Sequence, residues 1–504
     1  MPPRLVLPLQ QHIGHPATPI VKAGDRVSKG QLIARNTFDV GANIHSPANG
    51  IVTAVEPRVI VHPASLKQLS IVIDTIVDSS DLTSRFATEK SGQISNLEWQ
   101  SCSRESLLAC VEQAGIVGLG GATFPTAVKL KSQTIETLIV NAMECEPYIT
   151  CDDRMLRELG QHVISGAQIA ARMVDASRIV FAIEDNKPDA IAALEKAILA
   201  QQWPLSMEIV VAPTKYPSGG EKQIVELVLA KQIPKGQLPA SLGVIVQNVA
   251  TLHAIYQAVV KNEALTRRLV TITGDRVKNP GNYWIPFGTQ INYLMQHFGV
   301  TQTEKDKIII GGPLMGQAID NHAVPVGKST NCVIFNSSSN KKYWGSEATE
   351  HQPCIRCSEC EKACPVELVP QQLYWLSRSD QWEALESQGL SDCIECGACA
   401  YVCPSDIPLV HYFRYAKSAI RSSRLKQIRS DKAKQRFEFR EMRLQRAKAE
   451  RALKHKKAAE ERKKAAQNKS DDPQGKQTAI NQALERVKQK KMAQTNPHKQ
   501  GETD

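Results

Sequence analysis

The spacing of apolar positions changes several times along the chain. Residues 1–75 alternate apolar and polar residues over short stretches such as "VKAGDRVSKGQLIA" and "IHSPANGIVTAV". A period of two between Gly, Asp and Pro turns predicts small, half-buried β-strands. From about 95 to 262, four β-branched apolar runs, "ETLIVNA", "SRIVFAIE", "MEIVVAP" and "LGVIVQN", predict buried parallel strands. Between them "KPDAIAALEKAILA" and "GEKQIVELVLAKQ" carry a helical period, so this region reads as an α/β layer domain. Residues 263–330 return to short strands around "TITGDRVKNPGNYWIPFGT" and "IIIGGPLMG", and "NSSSNKKYWGSEATEHQ" follows as a polar connection without periodicity. A cysteine-rich segment occupies 345–415. The remainder, 416–504, is a basic tail: helix is predicted to about 467, and "NKSDDPQGKQ" beyond it reads as disordered.

Composition places these segments in ordinary globular protein, with 42% apolar and 22% charged residues in 504, a length suited to three or four domains. No stretch approaches eighteen uninterrupted apolar residues, and "MPPRLVLPLQQHIGHP" lacks the charged start and apolar core of a signal peptide. The expectation is a cytoplasmic protein, with any contact to a membrane made through partners. The net charge of +11 is unevenly spread: residues 411–504 hold 27 Lys+Arg against 11 Asp+Glu, leaving 35 against 40 upstream. The acidic body and basic tail therefore have separate electrostatics.

Eight of the thirteen cysteines stand in two copies of C-x2-C-x2-C-x3-C-P, "CIRCSECEKACP" from Cys354 and "CIECGACAYVCP" from Cys393. This is the ligand run of bacterial two-cluster ferredoxins, in which the fourth cysteine of each motif completes the other cluster. One [4Fe-4S] cluster would take Cys354, Cys357, Cys360 and Cys403, the second Cys393, Cys396, Cys399 and Cys364. Zinc sites have no use for three cysteines at successive three-residue steps. Disulfides do not suit a chain whose other five cysteines, Cys102, Cys110, Cys145, Cys151 and Cys332, show no framework spacing. The residues between the motifs carry helical rather than strand patterning, which points to an α-helical ferredoxin module. Such clusters carry single electrons, so another group must supply them.

The α/β region offers a candidate. "GIVGLGGATFPTAVKL" brings Gly118, Gly120 and Gly121 where backbone N–H groups can approach an anion, with Lys129 nearby. It is not the dinucleotide fingerprint, since the third glycine would fall at Thr123 and the stretch follows a predicted helix. Together with "NAMECEPYITCDDRML", "KYPSGGEKQ" and "VQNVAT", the loop resembles the NADH-binding flavoprotein subunit of respiratory complex I. Over residues 5–415 the chain resembles the C subunit of Rnf-type ion-translocating electron-transport complexes. The resemblance implies a barrel-sandwich hybrid over 1–75, similar to biotinyl/lipoyl domains but with Val40 near the place of the carrier lysine. It further implies a Rossmann-like flavin domain over 95–262 and a β-grasp domain over 263–330. Gly118, Gly120, Gly121 and Lys129 would hold the phosphate of FMN. Asn141, Tyr216, Gly219, Glu221 and Asn248 would line the same pocket, and Phe124, Glu144 and Glu146 would face NAD(H). The implied function is a peripheral electron-input subunit at the bacterial inner membrane, partnered by an iron-sulfur subunit. The alternative is a soluble iron-sulfur carrier without flavin activity.

Other features read as structure. "VGKST" at Val326–Thr330 ends like a phosphate-binding loop, but His322 stands where the first glycine belongs. Cys145 and Cys151 read as packed thiols, and His45, His162 and His253 as structural histidines. The tail could meet partner subunits or an anionic membrane surface; scarce aromatics after Phe439 and the lack of a groove-reading motif argue against nucleic acid.

Overall fold

The computed structural model describes the chain except residues 63, 77–98, 132–134, 201–202, 302–305, 338–350, 469–472 and 495–504. It divides into two compact units, Met1–Lys417 and Ser418–Asp504.

The first unit opens with seven short strands: β1 (Arg4–Pro8), β2 (Thr18–Pro19), β3 (Arg26–Val27), β4 (Leu32–Arg35), β5 (Ile44–His45), β6 (Gly50–Val59) and β7 (Lys67–Thr75). They form two antiparallel sheets, ordered β1-β7-β6-β3 and β2-β4-β5. Alternation puts Leu5, Leu7, Ile33, Val52, Ile71 and Ile73 into a dry core, as a period of two requires where sheets face each other. Val40 lies in the loop before β5, and its carbonyl accepts from the His15 amide at 3.1 Å.

The α/β domain follows with helices α1 (Arg104–Gln113), α2 (Thr126–Leu130), α3 (Cys151–Met173), α4 (Pro188–Leu199), α5 (Glu221–Leu229) and α6 (Val249–Lys261) around strands β8 (Thr137–Ala142), β9 (Arg178–Glu184), β10 (Met207–Ala212) and β11 (Val244–Asn248). The four apolar runs become these four strands, all parallel, in the order β10-β9-β8-β11. The chain steps outward from β8 through β9 to β10, then returns to place β11 on the other side of β8. A crevice at the carboxyl ends of β8 and β11 is the ligand position such a reversal creates.

A mixed five-stranded sheet, β13-β12-β16-β14-β15, comes next: β12 (Arg267–Thr273), β13 (Gly281–Pro286), β14 (Lys307–Ile310), β15 (Gln317–Ile319) and β16 (Cys332–Asn336), with helix α7 (Ile291–His297) packed on it. β16 lies past residue 330 and sits centrally, all five of its residues buried; its apolar run "CVIF" is too short to stand out beside the polar connection. "GGPLMG" makes the turn between β14 and β15.

The cysteine segment is helical: α8 (Glu359–Lys362), α9 (Pro370–Arg378), α10 (Trp382–Ser387), α11 (Ala398–Tyr401), then α12 (Leu409–Asn468). The second unit contains most of α12 and α13 (Pro473–Gln494), with every side chain from 421 to 467 exposed. Helix over 473–494 corrects the expectation of disorder beyond 467. Proline in the first turn and the run of Ala, Gln and Lys after it suit a helix start and its continuation. Residues 469–472 of the expected disordered stretch fall outside the described residues.

Candidate functional site

The glycine loop stands at the strand reversal. Asn141 and Asn248 end β8 and β11 as direct partners across the parallel pair. Gly120 lies on Asn248 so closely that an added Cβ would come 3.2 Å from the asparagine Cβ, whereas Gly121, at φ +115°, faces open space. Thr123 also sits in the left-handed region, at φ +50°, where a β-branched residue is strained.

The loop's own hydrogen bonds decide which amides can meet an anion. Gly118 N–H donates to the Phe124 carbonyl at 2.8 Å, closing the loop, and Leu119 N–H donates to Thr251 Oγ1 at 2.9 Å. Gly120 and Gly121 N–H have no acceptor among the described residues, leaving two successive donors at an open cradle. Such a concavity fits a phosphate. Lys129, on α2, is paired with Glu221 at 2.5 Å, so the two residues expected on one pocket are side by side.

Gly219 and the start of α3 meet the two asparagines. Asn141 Nδ2 donates to the Gly219 carbonyl at 2.9 Å and its Oδ1 accepts from Met143 N–H. Asn248 caps α6 through Ala250 N–H and donates to Asp152 at 2.5 Å. Gly219 N–H points to Cys145 Sγ at 3.3 Å. Glu144 accepts from the Asp152 and Asp153 amides at 2.8 and 3.1 Å, at the start of α3. Burial first, then the Asp152 carboxylate, push its pKa up to about 8. Glu146 accepts from the Leu314 and Met315 amides at 2.7 and 2.9 Å, in the turn between β14 and β15. Both carboxylates, expected to face a nucleotide, are thus turned to the protein's own backbone. Cys151 is buried against Glu144 and Cys145 is half-buried, and the packing of both suits inert thiols.

The cysteine motifs come together in crossed fashion. Cys354, Cys357, Cys360 and Cys403 line one cavity with Tyr374 and Ile407; Cys364, Cys393, Cys396 and Cys399 line another with Leu373, Val410 and Phe413. The two halves repeat in backbone as well as sequence: Arg356, Ser358 and Glu367 take positive φ, and so do Glu395, Gly397 and Asp406 at the matching places. Each half thereby winds its first three thiols around one cavity and sends the fourth to the other. Four converging sulfurs in an apolar cage fit an iron-sulfur cube.

Several side chains join the two regions, Lys222 and Lys235 pairing with Asp392 at 3.7 and 3.3 Å. Tyr216 Oη donates to the Cys396 carbonyl at 2.5 Å, and Gly397 sits where a Cβ would come 2.7 Å from the Leu314 carbonyl. The cavity of Cys396 and Cys399, both buried, therefore lies against the flavin-type domain, whereas Cys357 of the other cavity is exposed. Lys417 Nζ binds the Cys393 carbonyl at 2.6 Å and Glu395 at 2.9 Å.

Sequence reasoning missed the reach of Tyr216 and the burial of Arg268 beneath the glycine loop, whereas the stretch holding Lys328 reads as structure. Lys328, in the "VGKST" stretch, is buried and donates to the carbonyls of Asn43 at 2.9 Å and Gly115 at 2.7 Å; it faces no cleft. Arg268 is 2% exposed on β12. Its only sequence signal is a charge at an inward position of "RRLVTIT". His45 and His253 are buried, with pKa values lowered by burial to about 3 and about 4, while His162 stacks on Tyr256.

Comparison with known proteins agrees with this arrangement. Residues 1–76 match the RnfC barrel-sandwich hybrid domain, 111–257 the Nuo51 FMN-binding domain, and 353–407 a 4Fe-4S dicluster domain. The C subunit of the ion-translocating oxidoreductase complex of Klebsiella pneumoniae is 43% identical over 99% of this chain, which spans 63% of that protein's length. The protein of the same name from Salmonella gallinarum is 42% identical over 98% of this chain, which spans 70% of it. Among solved structures, an NAD+-reducing [NiFe]-hydrogenase in the H2-reduced state aligns with a TM-score of 0.46 at 21% identity, over 66% of this chain and 65% of that one, a likeness too distant to establish a common fold. On the sequence relatives, the chain belongs to the family of C subunits of ion-translocating oxidoreductase complexes.

Proposed function

We propose that this protein is the electron-input subunit of a membrane-bound ion-translocating oxidoreductase, passing electrons between NAD(H), FMN and two [4Fe-4S] clusters. The observation that carries the reading is the contact of Tyr216 with Cys396, which brings a residue that this reading assigns to the flavin pocket onto the inner cysteine cavity. A bound flavin would exchange electron pairs with a nicotinamide and single electrons with clusters. Gly120 and Gly121 offer their amides to its phosphate, Gly118 closes the loop, and Lys129 supplies a cation once Glu221 yields it. Asn141, Tyr216, Gly219 and Asn248 line the pocket, and Phe124 faces the nucleotide side. Glu144 and Glu146 hold the start of α3 and the turn after β14, and so act on nucleotide binding through the backbone they fix.

Cys364, Cys393, Cys396 and Cys399 hold the cluster nearer the flavin; Cys354, Cys357, Cys360 and Cys403 hold the outer one. The exposed Cys357 makes the outer cluster the exit toward an iron-sulfur partner protein. No helix among the described residues is long and apolar enough to cross a membrane; the reading makes the chain a peripheral subunit and assigns it to the cytoplasmic side of the bacterial inner membrane. The test is stoichiometry. Anaerobically purified chain should hold about one FMN and about eight irons, with the flavin bleached by NADH, and Cys396→Ala should lose about half the iron while its flavin still responds. Full iron with neither flavin nor a response to NADH would favour the plain iron-sulfur carrier.

A further inference from the structure

Arg268 is buried and forms no ion pair with any described residue. Its guanidinium donates to three backbone carbonyls instead: Leu119 at 2.9 Å, Lys328, and Leu269 at 3.5 Å. Cys151 and Asp152 act on it through space, and the Asp152 carboxylate is itself held by Asn248. A buried guanidinium whose contacts are all neutral carbonyls is costly, and a further negative charge nearby would stabilise it.

The first of those carbonyls is informative. The Leu119 C=O belongs to the same peptide unit as the Gly120 N–H, one of the two loop amides without an acceptor. A cation bonded to the oxygen of a peptide draws electron density from its nitrogen, so the N–H on the other side becomes a stronger donor. Thr251 fixes the preceding amide, and Lys328 holds the loop's entry at Gly115, so the Leu119–Gly120 peptide is clamped in that orientation.

We propose that Arg268 is a positioning residue for the phosphate of the flavin: it delivers its charge through the Leu119–Gly120 peptide to the anion cradled by Gly120 and Gly121. The inference rests on the flavin reading above and adds to it a residue that never touches the ligand.

The test compares FMN with riboflavin, which lacks the phosphate, by flavin fluorescence titration of the full-length, cluster-loaded chain. Arg268→Gln retains a donor for the Leu119 carbonyl but loses the charge. It should bind FMN about 10- to 100-fold more weakly, the range for a charge-assisted hydrogen bond, with riboflavin affinity unchanged. Arg268→Lys should recover part of the difference. Equal losses for both flavins, or none for either, would overturn the proposal. Wild-type chain indifferent to both flavins would instead overturn the flavin site itself. Should Arg268→Gln lose its cluster absorbance through misfolding, Arg268→Lys decides alone: discrimination between FMN and riboflavin smaller than wild type supports the proposal, and unchanged discrimination rejects it.

Discussion

Lys328 stands in a stretch that reads as structure, and the fold shows what that structure is. Its "GKS" neighbourhood suggests phosphate, yet the ammonium is turned inward onto the Asn43 and Gly115 carbonyls, tying the N-terminal sheets to the entry of the glycine loop. Burial lowers its pKa to about 7, against about 10.4 in an unfolded chain. Below about pH 7 both states carry the proton, and the folded state bears the full penalty of a buried charge. Between about 7 and 10 the unfolded chain binds more protons than the folded one, so this residue's contribution to stability rises with pH, by at most about 1.4 kcal/mol per unit. Lys328→Met should remove that rise. Denaturant melts at pH 7 and pH 9 check it: the stability gap between wild type and variant should widen in favour of wild type at the higher pH. A constant gap would mean that Lys328 stays charged when buried. The glycines, by contrast, were legible: a Cβ on Gly120 would crowd Asn248 at 3.2 Å, and Gly121 occupies a φ that other residues avoid.

At the scale of elements, the parts announced by strong periodicity or rigid spacing were readable in advance. The four parallel strands follow from β-branched runs, and the crossed pairing of the cysteines follows from a motif whose fourth thiol cannot reach its own cluster. What stayed hidden depends on contacts between distant segments: Tyr216 on Cys396, Glu146 on the 314–315 backbone, Arg268 on Leu119. No local pattern encodes a hydrogen bond between residues 180 positions apart. Crossing itself can be counted in iron. With Cys364 serving the second motif's cluster, the pair Cys364→Ala with Cys393→Ala damages one cluster and should leave about four irons. Cys364→Ala with Cys354→Ala damages both and should leave none. The reverse result would mean that each motif closes on its own cluster.

The whole molecule separates the redox machinery from the charge. All proposed cofactor residues lie in the unit ending at Lys417, while residues 411–504 carry 27 Lys+Arg against 11 Asp+Glu. The boundary is set by chemistry: Val410 and Phe413 line the inner cysteine cavity, and Lys417 grips Cys393 and Glu395, so a chain cut before Lys417 would expose a cluster wall. After it, α12 presents charge on all sides and only two aromatics, Phe437 and Phe439. Two positions apart, these project to nearly opposite sides of a helix, which offers no row for stacking bases and favours an anionic lipid surface over nucleic acid. Attraction of about 1 kcal/mol for each basic residue near such a surface is ample for binding and is screened by salt. The full chain should therefore cosediment with vesicles containing phosphatidylglycerol at low salt, release at high salt and ignore neutral vesicles. A chain ending at Lys417 should stay in solution with unchanged flavin and iron content. If the shortened chain sedimented as well as the full one, membrane contact would belong to the redox unit and the tail's charge would need another partner.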